Sequence, residues 1–312
     1  MRILFAGSPE FAVPSLVSLH EDHQITAVLT NPDKPAGRGK QPEATPVKTQ
    51  ALALGLPVLQ PQSFDPPVLG RVGALGAELL VVVAFGRILK KDFLDLFPRG
   101  GVNVHASLLP KYRGPSPITA AILSGERETG VTVQKLAVKM DAGDILGVRI
   151  LKLTGRETTG SLSDTLAGTG AELLAAAVKE IERGRSNPLR QDEEEATYCR
   201  LVSKQDGRID WTADVQIIER MIRAYDPWPR AYSFYNGSRL NLLSGGVYPV
   251  SIDAGGKKQG LVLATDNRYG ILVNAGGGVL YVSGLQLQAK KPLDWRSFLN
   301  GQKDFIGAQL GE

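Results

Sequence analysis

The 312-residue sequence predicts an α/β protein: a Rossmann-like, mainly parallel sheet with helices on both faces, followed by a smaller all-β domain. Three observations predict it. Short β-rich apolar runs alternate with helix-compatible stretches over the first part of the chain; one run, "LLVVVA", is continuously apolar; and after Gly184 the composition turns polar and then breaks into short strands with glycine-rich turns. A chain of this length also favours two cores over one.

In order, "RILFAG" reads as a strand, "FAVPSLVSLHED" as a helix and "QITAVLT" as a second strand. Residues 31–48, "NPDKPAGRGKQPEATPVK", form a long loop that Lys34, Arg38, Lys40 and Lys48 make locally basic. "LLVVVA" is expected as a central strand buried on both faces, with a helix in "LKKDFLDLF" after it. "VTVQKLAV" and "ILGVRILKL" are two further strands joined through the turn "KMDAGD". The helix "SLSDTLAGTGAELLAAAVKEIERG" then covers the sheet, with Ser161 as its N-cap and Gly184 as its stop. These elements define a first domain over 1–184. Residues 185–206, with Pro188 and the acidic run 192–195, read as an exposed linker. Residues 207–312 hold a helix, "DVQIIERMIRAY", the turn "DPWPRAY", and several short strands expected to form a small barrel or sandwich.

Bulk properties narrow the function classes. With 43% apolar residues, a mean hydropathy of −0.07 and no apolar run near the roughly 20 residues that span a bilayer, a soluble protein is expected, not a membrane one. The N-terminus "MRILFAGSPEF" lacks a sustained apolar core and a small-residue cleavage site, which points to the cytoplasm. A single cysteine, Cys199, excludes an intrachain disulfide and offers no thiolate cluster for a metal; its expected role is structural. Lys and Arg outnumber Asp and Glu by 24 to 23 over residues 1–206 and by 12 to 9 over 207–312, so the net charge of +4 sits mainly in the last third. That balance fits an anionic partner without requiring one.

Ligands of open α/β sheets bind beyond the carboxyl ends of the strands. "GVNVHASLLPKYRG" puts Asn103 and His105 at such an end, two residues apart and therefore on one face. A buried-strand Asn is costly unless its amide is used. Of the three histidines, His20 and His23 lie at a polar helix end, leaving His105 for chemistry. An acid, Asp141 or Asp144, is available in "KMDAGD". An amide, an imidazole and a carboxylate without a Ser or Cys nucleophile or a metal suit attack by an external amine on an acyl carbon. The first two would donate to the developing oxyanion, and the carboxylate would receive the amine proton.

"NVHASLLPKYRG" resembles the signature of the 10-formyltetrahydrofolate-dependent formyltransferases, and "VTVQKLAVKMDAGDIL" resembles the segment bearing that family's catalytic aspartate. The resemblance implies a catalytic trio of Asn103, His105 and Asp141; this chain has D-A-G where many relatives read D-T-G. It implies folate contacts from the backbone of Phe85, Gly86, Arg87, Ile88 and Leu89 in "VVVAFGRILKKDFL", and from Ser107, Leu108, Leu109 and Pro110 beside the formyl group. "PDKPAGRGK" is similar to the insertion with which the methionyl-tRNA branch of the family enters the acceptor arm of initiator tRNA, which implies Arg38 and Lys40 as tRNA contacts. "IDWTADVQIIERMIRAYDPWPRAY" resembles the opening of that branch's OB-like C-terminal domain.

The activity so implied is formyl transfer from 10-formyltetrahydrofolate to methionyl initiator tRNA, by a monomer, with no metal and no membrane partner. A formyltransferase for a nucleotide-linked amino sugar and a non-catalytic tRNA-binding protein remain alternatives. "FAGSPEF" is no G-x-G-x-x-G fingerprint, so a nicotinamide cofactor is not expected. A cis peptide before Pro110 is a further expectation from "SLLP" and the resemblance.

Overall fold

A computed structural model describes residues 1–36, 41–250, 252 and 256–311. The chain divides into two compact units. The first comprises Met1–Pro117, Glu128–Lys152 and Ser163–Arg200; the second comprises Ile118–Arg127, Leu153–Leu162 and the residues from Leu201 onward.

The elements of the first part run β1 (Arg2–Gly7), α1 (Val13–Asp22), β2 (Gln24–Leu29), β3 (Lys34–Ala36), β4 (Gln41–Glu43), α2 (Pro46–Ala53), β5 (Val58–Leu59), α3 (Pro66–Ala74) and β6 (Leu79–Val83). They continue with α4 (Lys91–Leu94), β7 (Gly101–His105), α5 (Pro117–Ser124), β8 (Glu128–Lys135), β9 (Ile145–Lys152) and α6 (Thr159–Glu182). Seven strands form one sheet in the order β5-β2-β1-β6-β7-β8-β9. It is parallel from β5 to β7, and β8 and β9 join antiparallel. The strand order reverses between β1 and β6, so the crevice that open α/β sheets use for ligands lies beyond their ends, next to β7. The continuous run in β6 is buried throughout, as a strand covered on both faces must be.

Local signals explain the helix starts. Thr45 and Asp65 cap α2 and α3 by accepting from Lys48 N and Val68 N, each 3.1 Å away, and each cap is followed by a proline whose missing N–H costs nothing there. The start of α6 differs from the sequence expectation. Thr158 is the N-cap, accepting from Ser161 N at 3.2 Å, while Ser161 Oγ accepts from Thr158 N at 3.0 Å in a reciprocal box. Gly184 does end the helix, at φ +67°, with Arg185 N bonded to Glu180 O at 2.9 Å.

Two organisational expectations are revised. The loop 31–48 carries the two-stranded hairpin of β3 and β4, with Lys34 opposite Glu43 and Pro35 opposite Pro42; Arg38 and Lys40 lie outside the described residues. Segment 185–206 is no uniform linker. Residues up to Arg200 belong to the first unit, where Leu189 bridges Ile145 of β9 and Gln191 is buried.

The second unit takes the start of α6 because Thr159 Oγ1 donates to Ala224 O at 2.6 Å and Gly160 N donates to Asp226 O at 3.0 Å. It continues with α7 (Val215–Ala224), β10 (Ala231–Tyr235), β11 (Ser238–Val247), β12 (Val262–Asp266), β13 (Gly270–Ala275), β14 (Gly278–Leu287), β15 (Leu293–Asp294) and α8 (Trp295–Gly301). The antiparallel sheet β10-β11-β14-β13-β12, with β15 on β14, wraps a core in which Ile218 and Ile222 of α7 join Leu240, Leu280, Phe298 and Phe305. Trp211 is buried there with its indole N–H donating to Ser233 Oγ at 2.9 Å, the partner a buried indole needs. Among the described residues no helix is long and apolar enough to cross a membrane.

Candidate active site

The site is built where β7 ends. Antiparallel pairing sets Asn103 opposite Gln134 and His105 opposite Thr132, so four polar side chains of β7 and β8 share one face between buried valines. Asp141 comes from the turn between β8 and β9, at φ +51°. That turn is tight: a Cβ on Gly143 would stand 1.8 Å from Lys135 O, which is why glycine occupies the position.

The turn delivers the Asp141 carboxylate to three donors. Oδ1 faces Gln134 Nε2 at 3.0 Å and Asn103 Nδ2 at 3.5 Å; Oδ2 accepts from Gly114 N at 2.9 Å. His105 Nδ1 lies 3.7 Å from Oδ2. Both partners are largely shielded, with side chains 7% and 14% exposed, so their mutual field is weakly screened. The other ring nitrogen, Nε2, is 2.9 Å from Tyr112 O. Asn103, His105 and Asp141 therefore meet at one place. Asp144, the other candidate acid, points away to Lys135 Nζ at 3.8 Å.

The residues expected around folate follow two neighbouring strand ends. After β6 the backbone turns sharply, with Ala84 at φ +47° and Gly86 at φ +72°. The Phe85 ring is buried in the core, and its carbonyl accepts from Asn31 Nδ2 at 2.8 Å. Arg87 turns to the carbonyls of Pro61 and Gln62, at 2.7 and 2.9 Å, with its guanidinium 4.2 Å above the Phe64 ring. Leu89 packs on the core and Ile88 stands 81% exposed. Beyond β7, Ser107 is fully buried and donates to Lys111 O at 2.6 Å, so its hydroxyl closes a turn and does not face an open site. Leu109 N donates to Thr132 Oγ1 at 3.2 Å, Leu108 and Pro110 keep exposed surface, and the Leu109–Pro110 peptide is cis as expected.

Several contributors escaped the sequence reading. Thr132 and Gln134 carry the same signal as Asn103 and His105, polar residues alternating with valine in a buried strand, and could have been found by it. Arg113 and Gln191 gave none. Arg113 is fully buried, with Nε and Nη2 donating to Gln191 Oε1 at 3.0 and 2.8 Å, and Nη2 also to Glu193 Oε1 at 2.8 Å. Arg113 first and Lys139 second hold the Glu193 carboxyl at about 2. Cys199 has Sγ 3.5 Å from the Tyr112 and Arg113 carbonyls, and burial pushes its thiol up, consistent with a structural role. Among the described residues no group of three His, Cys, Asp or Glu could hold a metal ion.

Comparison with known proteins defines the class. Residues 1–178 match the family described as "Formyl transferase" and residues 201–303 match "Formyl transferase, C-terminal domain". The chain belongs to the formyl transferase family. Two relatives, from Treponema denticola and Roseiflexus castenholzii, are each named methionyl-tRNA formyltransferase. The first is 42% identical over 98% of both chains and the second 44% identical over 95% of both. A solved N-formyltransferase of Helicobacter canadensis, in complex with folinic acid and dTDP-3-aminofucose, shares the fold at a TM-score of 0.68, with 19% identity over 92% of this chain and 99% of its own.

Proposed function

We propose that the protein transfers the formyl group of 10-formyltetrahydrofolate to the α-amino group of methionine esterified to initiator tRNA. The observation that carries this reading is the convergence of Asn103, His105 and Asp141 at the end of β7. Near-full-length identity to proteins named methionyl-tRNA formyltransferase supports the choice of acceptor.

The chemistry follows from the donors. The neutral amine nitrogen attacks the formyl carbon, and an N–C bond forms as the carbonyl electrons move onto oxygen. Asn103 Nδ2–H and a proton on His105 Nδ1 face that oxygen, since Nε2 is committed to Tyr112. One such donor lowers a barrier by about 2.7–4 kcal/mol. Asp141 accepts the proton lost by the amine, directly or through water, and the bond from the formyl carbon to N10 breaks as N10 takes up a proton. An α-amine with a pKa of about 8 needs little help to be neutral near pH 7.

The backbone of Phe85 to Leu89 and the surfaces of Leu108 and Pro110 are the folate wall in this reading. The loop 31–48, through Arg38 and Lys40, and the C-terminal unit are the tRNA-binding parts of a monomeric, cytoplasmic enzyme. Formylation assayed with initiator methionyl-tRNA, elongator methionyl-tRNA and a nucleotide-linked amino sugar tests it. Product on initiator tRNA is expected; product on the sugar alone, or none on any acceptor, rejects it.

A further inference from the structure

Segment 190–199 reaches both groups that orient the catalytic side chains. Gln191 lies near its start, only 6% exposed, with its carboxamide fully used. Its Nε2 donates to Asp141 O at 2.8 Å and to Gly143 O at 2.7 Å, the two carbonyls that flank the left-handed turn delivering the Asp141 carboxylate. Its Oε1 accepts twice from the buried Arg113. A few residues on, Thr197 Oγ1 accepts from Tyr112 N at 2.8 Å, and it is the Tyr112 carbonyl that holds His105 Nε2. The two anchors thus fix the backbone behind each catalytic partner from a single stretch of chain.

We infer that Gln191 is a positioning residue for the transfer reaction, with Thr197 as its counterpart on the histidine side; this rests on the formyltransferase reading above. Neither touches the reacting atoms. A glutamine is suited to the post because two carbonyls need donors while a guanidinium needs an acceptor, and one carboxamide supplies both. A buried residue lacking those donors leaves the Asp141 and Gly143 carbonyls unpaired, and the turn relaxes toward other partners. The Asp141 carboxylate then leaves its place relative to His105 Nδ1, where a misplacement of about 1 Å costs on the order of 10²-fold in rate.

The test is Gln191→Met, similar in size and without donors, assayed for kcat and both KM values with initiator methionyl-tRNA and 10-formyltetrahydrofolate. Thr197→Val, at an exposed position, is the second variant. The inference predicts that kcat falls about 30- to 100-fold in Gln191→Met and about 5-fold in Thr197→Val, with both KM values within about threefold of wild type. A folded Gln191→Met with wild-type kcat, or a loss confined to KM, overturns it. If Gln191→Met does not fold, unchanged kcat in Thr197→Val is sufficient to overturn it. Wild-type protein that formylates no tRNA removes the inference together with the functional reading; active wild type with indifferent variants removes the inference alone.

Discussion

A backbone carbonyl can only accept, so the 2.9 Å contact between His105 Nε2 and Tyr112 O fixes one imidazole proton on that nitrogen. The nitrogen left for the proposed chemistry is Nδ1, which lies 3.7 Å from Asp141 Oδ2. Removing the ring in His105→Ala, or the amide in Asn103→Ala, is expected to lower single-turnover formylation about 10²- to 10³-fold while tetrahydrofolate binds within about threefold of wild type. Near-normal turnover in either variant rejects the oxyanion role. Asp141→Asn is a finer probe. Asn tolerates the left-handed backbone at this position, so a folded variant is expected, yet the amide nitrogen meets a donor where the carboxylate offered a second acceptor. A kcat loss of about 10²-fold should follow. A fully active Asp141→Asn would assign the proton to another group.

At the scale of elements, what holds the site is tight turns and a hydrogen-bonded edge. The Gly143 position is the most constrained, and Gly143→Ala is expected to destabilise the first unit by about 1–3 kcal/mol, read as a lowered melting temperature. In the second unit, burial pushes the Glu157 carboxyl up, but the amide and hydroxyl of Thr154 and the amide of Gly155 donate to it and hold it at about 2, against an ordinary 4.5. A depressed folded-state value gives stability that is present above pH 4.5 and is lost as pH falls toward 2. Glu157→Gln should therefore lower the urea midpoint most above pH 5 and converge with wild type near pH 2. Trp211, Trp228 and Trp295 all lie in the second unit, so tryptophan fluorescence reads the transition; a gap between the proteins that does not change with pH would contradict the assignment. These elements also show what the sequence could reveal. The β6 run and the Asn103 and His105 pair were legible because apolar continuity and period-two spacing survive in any fold. The cap of α6 was displaced to Thr158 because Ser161 serves equally well as the other half of a box. Gln191 and Arg113 were illegible because their partners are carbonyls and residues about 50 to 80 positions away, brought close only by the folded chain.

Across the whole molecule, the proposed partner is a polyanion, and its binding should carry the signature of counterion release. The kcat/KM for initiator methionyl-tRNA is expected to fall steeply as salt rises, while kcat at saturating tRNA changes little. Arg38→Ala should flatten the log–log salt slope by about one and raise KM for tRNA without moving KM for folate. An unchanged slope would take Arg38 out of the interface. The proposed chemistry is local, with Asn103, His105 and Asp141 meeting at the end of β7 to move a formyl group onto an aminoacylated tRNA. The most direct measurement is single-turnover formylation of initiator methionyl-tRNA by wild type, Asn103→Ala and His105→Ala, each saturated with 10-formyltetrahydrofolate. The prediction is N-formylmethionyl-tRNA from wild type and a rate lower by about two orders of magnitude or more in both variants. Equal rates in all three would contradict it.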